Sequence, residues 1–280
     1  MNALEIKDLC KSYQGFALDK INLVLPSGCI MGLIGENGAG KSTTIKLILN
    51  AIKRDAGTIT VLGKDNREAF ELTKEDIGVV LDEVGYSDCL TAKQVGLIMQ
   101  NIYKNWDKEV YAGYLNSLKI PVDKQYKDFS KGMKMKLCIA VALSHHAKLL
   151  ILDEATSGLD PVVRDEVLDV FSEFTRNENH AILMSSHIVS DLEKVCDYIA
   201  FMHKGKLMLC EEKDMLKDEY GIIRCSEEKF QEIDAAAVIG KKVSPYGVEA
   251  IVHRNKIPAG LEIAPVDLEQ LFIFMVKGEQ

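Results

Sequence analysis

The densest chemistry in the chain lies in Gly35-Glu36-Asn37-Gly38-Ala39-Gly40-Lys41-Ser42, followed by Thr43. This is a full match to G-x-x-x-x-G-K-[ST], and each residue type has a physical reason to be there. A loop that wraps phosphates does so with backbone N–H groups, and side chains larger than glycine would block the approach. Lys41 supplies a point charge to the outer phosphates, and Ser42 supplies a hydroxyl to magnesium. A helix that starts beside Lys41 adds the positive end of its dipole.

A second group follows the apolar run Leu149-Leu150-Ile151-Leu152, which ends in Asp153-Glu154. Two acids at the end of a buried strand are costly unless something compensates them. Asp153 is placed to hold a magnesium shell, and Glu154 to polarise an attacking water. Alone the pattern is weak, because strand-end acids often serve as caps. Beside a phosphate loop the two patterns become complementary.

The order of segments around Lys41 and Asp153 resembles the ATP-binding subunit of ABC transporters over about residues 1–216. Phe129-Ser130-Lys131-Gly132-Met133 stands where that family carries its LSGGQ signature. Ser157-Gly158-Leu159-Asp160 matches the D-loop, and His187 in Ser185-Ser186-His187 matches the switch histidine. Tyr13, in Ser12-Tyr13-Gln14-Gly15, matches the aromatic on which adenine stacks. The resemblance implies that ATP is held by Tyr13 and the 35–43 loop, with Mg2+ on Ser42 and Asp153. It further implies that Glu154 and His187 orient the attacking water. Ser130 and Gly132 would then cover the γ-phosphate bound to a second subunit, in a head-to-tail homodimer or a heterodimer with a related ATPase subunit.

Two departures from the family pattern matter. In the signature, Lys131 replaces a glycine and Met133 the glutamine, while Ser130 and Gly132 are kept. Such substituted signatures resemble exporter-type ATPases whose membrane subunits are separate polypeptides, which leans the expected transport outward. At the Q-loop the glutamine position falls on Asp82. An ionised carboxylate there binds metal but cannot donate a hydrogen bond, so Asp82 is expected to retain a metal-sensing role. The rival readings are a soluble ABC-type ATPase, or a nucleotide sensor, not coupled to a membrane.

The elements that must position these groups read as α/β. Leu4 to Leu9 alternates as a strand, Ile21 to Leu25 follows, and Ile30 to Ile34 runs into the glycine loop. Ile45, Ile48, Leu49 and Ile52 recur at helical spacing, predicting a helix over 41–52. Strands are predicted at 58–62, 77–81, 149–152, 181–184 and 198–202, with Lys204-Gly205 as a turn before 206–209. Asp160-Pro161 opens a helix, with Asp as N-cap and Pro in the first turn. The stretch from about 90 to 146 is helix-rich, and His145 and His146 are read as helix residues. With the resemblance, this predicts a P-loop NTPase, RecA-like core with an N-terminal antiparallel β subdomain and an inserted helical subdomain over 84–146. The ATP-binding domain is expected over 1–217. Residues 218–280, with short strands at 222–223 and 248–252 and a last helix over 266–276, are expected to form a small α+β accessory domain.

Composition sets the outer limits. A formal net charge of −8 over 280 residues disfavours nucleic acid as the main partner, since phosphate backbones reward excess Lys and Arg. Seven cysteines without a Cys-x-x-Cys pair make a poor disulfide framework and fit a reducing compartment. No apolar run approaches the ~20 residues of a spanning helix. The expected place is therefore the cytoplasm, on the inner face of the cell membrane, against integral-membrane permease subunits that do the crossing.

Overall fold

A computed structural model describes residues 1–68, 74–81, 85–258 and 260–278. Their contacts divide the chain into two compact units, Met1–Leu207 and Met208–Gln280. Asp82, the expected metal sensor, lies outside the described residues.

The first unit begins with a hairpin of β1 (Asn2–Tyr13) and β2 (Phe16–Pro26). The alternation read in the sequence puts Leu4, Ile6 and Leu9 inward. With β4 (Ala56–Val61) and β5 (Lys64–Asp65) they form an antiparallel sheet of order β2-β1-β4-β5.

The second sheet holds β3 (Ile30–Gly35), β6 (Ile77–Leu81), β7 (Leu149–Asp153), β8 (Ala181–Ser186), β9 (Tyr198–His203) and β10 (Lys206–Glu212). Its order is β10-β9-β3-β8-β7-β6. The β9–β3, β3–β8, β8–β7 and β7–β6 pairs are parallel. Strands buried on both faces need continuous apolar runs, and β3 and β8 are buried along their whole length.

Helix α1 (Lys41–Ile48) leaves the loop after β3. It stops short of the predicted Ile52 because Asn50 turns left-handed, with φ 50°, and the Ala51 N–H closes back onto the Lys46 carbonyl at 2.9 Å. Asparagine tolerates that conformation better than most residues, which makes it a natural helix stop.

The helical insertion contains α2 (Ala92–Ile102), α3 (Lys108–Ser117) and α4 (Lys131–Leu143). Thr91 and Gln94 form a reciprocal capping box on α2, and Asp107 caps α3. The insertion has its own core, including Val95, Tyr111, Leu115, Tyr126, Phe129 and Leu137. His145 and His146 are not helix residues as expected. Helix α4 ends at Leu143, and His146 sits at φ 56° in the turn beyond it. His145 stacks on Tyr103 with ring centroids 4.0 Å apart, and its Nδ1 lies 2.9 Å from the Glu75 carbonyl.

Two further helices flank the parallel sheet, α5 (Pro161–Phe174) and α6 (Val189–Val195). As the Asp160-Pro161 pair predicts, Asp160 caps α5 by accepting from the Val163 N–H at 3.1 Å.

The second unit carries α7 (Lys213–Glu219), β11 (Tyr220–Cys225), α8 (Glu227–Gln231), β12 (Val238–Ser244), β13 (Gly247–His253), β14 (Ile263–Ala264) and α9 (Leu268–Gly278). Its sheet is antiparallel, in the order β12-β13-β11-β14, over a small core that includes Ile223, Val248, Ala250 and Val252. The last helix starts at Leu268 and not at Val266, because Asp267 and Gln270 cap each other's backbone N–H groups. Among the described residues no helix is long and apolar enough to cross a membrane.

Candidate functional site

The apolar run of β3 has to end where the sheet ends, and the loop from Gly35 to Gly40 carries the chain from there into α1. Its glycines are forced by geometry. Gly40 sits at φ 112°, and a Cβ there would lie 2.5 Å from Leu18. A Cβ on Gly35 would lie 2.7 Å from the Met202 carbonyl oxygen. The loop is thereby held against β9 at Gly35.

A cleft of about 530 Å³ opens over this loop, within the usual range for a small-molecule site. It is lined by residues 36–43 together with Phe16, Glu154, Ser157 and His187. Lys41 is nearly buried, and its ammonium donates to the Gly35 carbonyl at 2.7 Å. The same ammonium stands 3.6 Å from Glu154 Oε1. The other Glu154 oxygen, Oε2, lies 2.6 Å from His187 Nδ1. One carboxylate therefore spans the loop lysine and a histidine from another strand end.

That arrangement comes from the sheet register. Strands β7 and β8 run parallel with Asp153 opposite Ser185, so the residues that follow them emerge side by side. Ser185 Oγ donates to Asp153 Oδ1 at 2.5 Å and accepts from the Glu154 N–H at 3.1 Å. Glu154 itself is held at φ 54°, a conformation that costs a non-glycine residue and persists only where neighbours over-determine it. Its N–H is also donated to the Ser185 carbonyl at 3.1 Å, which supplies that constraint.

The donor set at and beside the cleft suits Mg-ATP, although Asp153 is not itself among the residues that line it. Asp153 offers one carboxylate, with its orientation fixed by Ser185, and Ser42 brings a hydroxyl to the cleft. Magnesium is ordinarily bound by one or two carboxylates plus substrate phosphates, the remaining places going to water. Glu36 is turned toward the loop's flank, where its carboxylate lies 2.8 Å from the buried His203 Nδ1.

Other predicted residues fall elsewhere. Tyr13 is half exposed and is not among the residues lining the cleft; the Lys11 ammonium sits 5.3 Å from its ring centroid. Phe16, its partner across the hairpin turn, does line the cleft. Sequence reasoning missed Phe16, although two aromatics flanking the Gln14-Gly15 turn were the available signal. It also missed the hold of Ser185 on Asp153, which the Ser185-Ser186-His187 string carried.

Ser130, Lys131, Gly132 and Met133 do not line the cleft. Ser130 is exposed and caps α4, its Oγ accepting from the Met133 N–H at 3.2 Å. Lys131 lies over Gly158, where an added Cβ would come within 2.8 Å of its ammonium nitrogen. In the 157–160 segment, Ser157 reaches the cleft, Leu159 is buried, and Asp160 is spent on capping α5.

The ABC transporter family profile matches residues 18–157. The chain is 29% identical to the ABC transporter ATP-binding protein YtrB of Bacillus subtilis (strain 168), over 99% of each chain. It is 36% identical to the lantibiotic transport ATP-binding protein SrtF of Streptococcus pyogenes, over 75% of this chain and 91% of that one. A solved structure described as the ATP binding subunit of an ABC transporter superposes with a TM-score of 0.67 at 28% identity, over 77% of this chain and 92% of the other.

Proposed function

The chain belongs to the ATP-binding subunits of ABC transporters, and from that premise we propose that it hydrolyses Mg-ATP in a site shared between two copies and so drives export through separate permease subunits. Subunits of this family bind ATP, dimerise and work with membrane permeases. What is proposed is the division of labour among residues, the composition of the dimer, the metal and the direction of transport.

In this reading the 35–43 loop and Lys41 bind the phosphates of ATP, and Phe16 and Tyr13 flank the base. Asp153 and Ser42 would hold Mg2+, which when bound neutralises charge on the phosphoryl group in transfer. Glu154 accepts a proton from the attacking water, and His187 keeps the carboxylate aimed. The observation that carries the reading is the Glu154 carboxylate itself, 2.6 Å from His187 and 3.6 Å from Lys41 at the mouth of the phosphate loop.

The exposed start of α4, with Ser130 and Gly132, covers the γ-phosphate of a second copy in a head-to-tail homodimer. Loss of the γ-phosphate then loosens that contact. The ATP-binding domain is assigned to 1–217, with its helical subdomain over 84–146, and an accessory domain to 218–280. The Asp82 position is assigned to metal sensing. Placement at the cytoplasmic face of the membrane follows from the need for permease subunits. SrtF is named for transport of a lantibiotic, and that name supports export here without fixing the cargo, whose contacts lie in the permease.

Size-exclusion chromatography of Glu154→Gln tests the proposal. Hydrolysis should fall to background while an ATP-bound dimer accumulates. A variant that hydrolyses at the parent rate would remove Glu154 from its role.

A further inference from the structure

Two segments meet at the Glu154 carboxylate, and the same two segments are tied together a second time behind it. The first is the loop 154–160, which brings Glu154 and Ser157 into the cleft. Near its end the Leu159 carbonyl accepts a hydrogen bond from Arg164 Nη2 at 3.2 Å. The second segment runs from His187 into α6. There the Asp191 carboxylate, only 5% exposed, lies 3.6 Å from Arg164 Nε.

That separation is long for a hydrogen bond and short enough for an ion pair. A carboxylate buried this far is costly without a compensating cation. Asp191 Oδ2 has no hydrogen-bond partner among the described residues, so its charge is offset by ion pairing, from the Arg164 guanidinium beside it and from Lys194 on the same helix. An exposed ion pair between Asp165 and Lys194 clips the same two helices together. Neither member of that outer pair is among the residues that line the cleft.

We propose that Arg164 is a positioning residue for hydrolysis: one arm of its guanidinium holds the 154–160 loop, the other holds the helix behind His187, and together they set the Glu154–His187 contact. The inference rests on the reading of Glu154 and His187 as the pair that orients water. A rigid fork can donate to the Leu159 carbonyl while its other edge faces Asp191, a fixed geometry that a lysine ammonium on a flexible stem does not reproduce. Misplacing reacting groups by about 1 Å is enough to cost roughly a hundred-fold in rate.

The test uses the full chain and measures melting temperature, KM for ATP and kcat in three variants. Arg164→Lys keeps the charge facing Asp191 and should keep melting and KM near the parent, while kcat falls by roughly ten- to a hundred-fold. Asp191→Asn should lower both melting and kcat. The exchanged pair Arg164→Asp with Asp191→Arg re-forms the ion pair, so melting should recover. Its kcat should stay low, because an aspartate at 164 cannot donate to the Leu159 carbonyl. Recovery of kcat together with melting in the exchanged pair would reduce Arg164 to a structural ion pair and overturn the inference. So would parent-like kcat in Arg164→Lys; should that variant not fold, the exchanged pair decides alone. A Glu154→Gln control that still hydrolyses ATP would instead overturn the functional reading on which this rests, so the two failures are told apart.

Discussion

The phosphate loop and the start of α4 are both glycine-and-hydroxyl segments leading into a helix, yet they are built in opposite ways. The first is enclosed: Lys41 is nearly buried, Gly40 is packed against Leu18, and Glu154 and His187 close over it. The second is open: Ser130 and Lys131 are exposed, and none of Ser130–Met133 lines the cleft. A helix start presents unsatisfied N–H groups and a positive dipole end, so both suit phosphate. In the proposed function, one chain thus displays two halves of an anion site at two places. On the proposed reading, a second copy brings them together.

That contrast can be broken most severely on the enclosed side. Lys41→Ala should abolish ATP binding in a nucleotide titration and cut hydrolysis by two orders of magnitude or more, since one preorganised charge-stabilising donor is worth roughly 3 kcal/mol. On the open side, Ser130→Arg should cut hydrolysis about as far while leaving ATP binding to the isolated chain intact, because Ser130 is outside the cleft. If Ser130→Arg weakened binding as Lys41→Ala does, the two regions would not be separate halves.

A smaller effect sharpens the point. Ser130→Ala removes the cap on α4 and should cost about 1 kcal/mol in denaturant unfolding, whereas Ser130→Asp keeps a cap and should restore that stability. Both should lose hydrolysis. If Ser130→Asp hydrolysed ATP like the parent, the hydroxyl would be a cap and nothing more.

The smallest effect lies away from both regions, in the turn after α4. Burial depresses the proton affinity of His145, partly countered by its bond to the Glu75 carbonyl. A histidine depressed in the folded state takes up protons first in the unfolded chain. Its contribution to stability is therefore complete above the ordinary histidine value of about 6.5 and is lost as pH falls through it and through the lower folded value. His145→Gln should flatten the fall in stability between neutral and mildly acidic pH, measured by denaturant unfolding, without altering ATP binding.

How much of this was legible follows from how locally each feature is encoded. The phosphate loop is contiguous, so Gly35 to Ser42 carry it openly. The Asp160-Pro161 start of α5 was equally plain, because a cap needs only its immediate neighbours. Glu154 and His187 are linked by the parallel register of β7 and β8, and spacing along the chain does not encode that; the family resemblance did. Phe16 escaped notice because a hairpin turn, and not a motif, brings it to the cleft in preference to Tyr13. Helix ends were misread where apolar spacing outlasted the backbone. Asn50 and His146 both stand at positive φ, stopping α1 and closing the turn after α4 while the hydrophobic pattern runs on.

The most direct measurement of a site split between copies is a mixing experiment. Glu154→Gln retains an intact α4 start but has no working carboxylate, and Ser130→Arg retains the carboxylate but has a blocked α4 start. Each alone should be inactive. In a mixed dimer one site pairs the good carboxylate of one copy with the good serine of the other, so phosphate release should reappear on mixing. A mixture no more active than the sum of its inactive components would contradict a catalytic site shared between two copies of this chain.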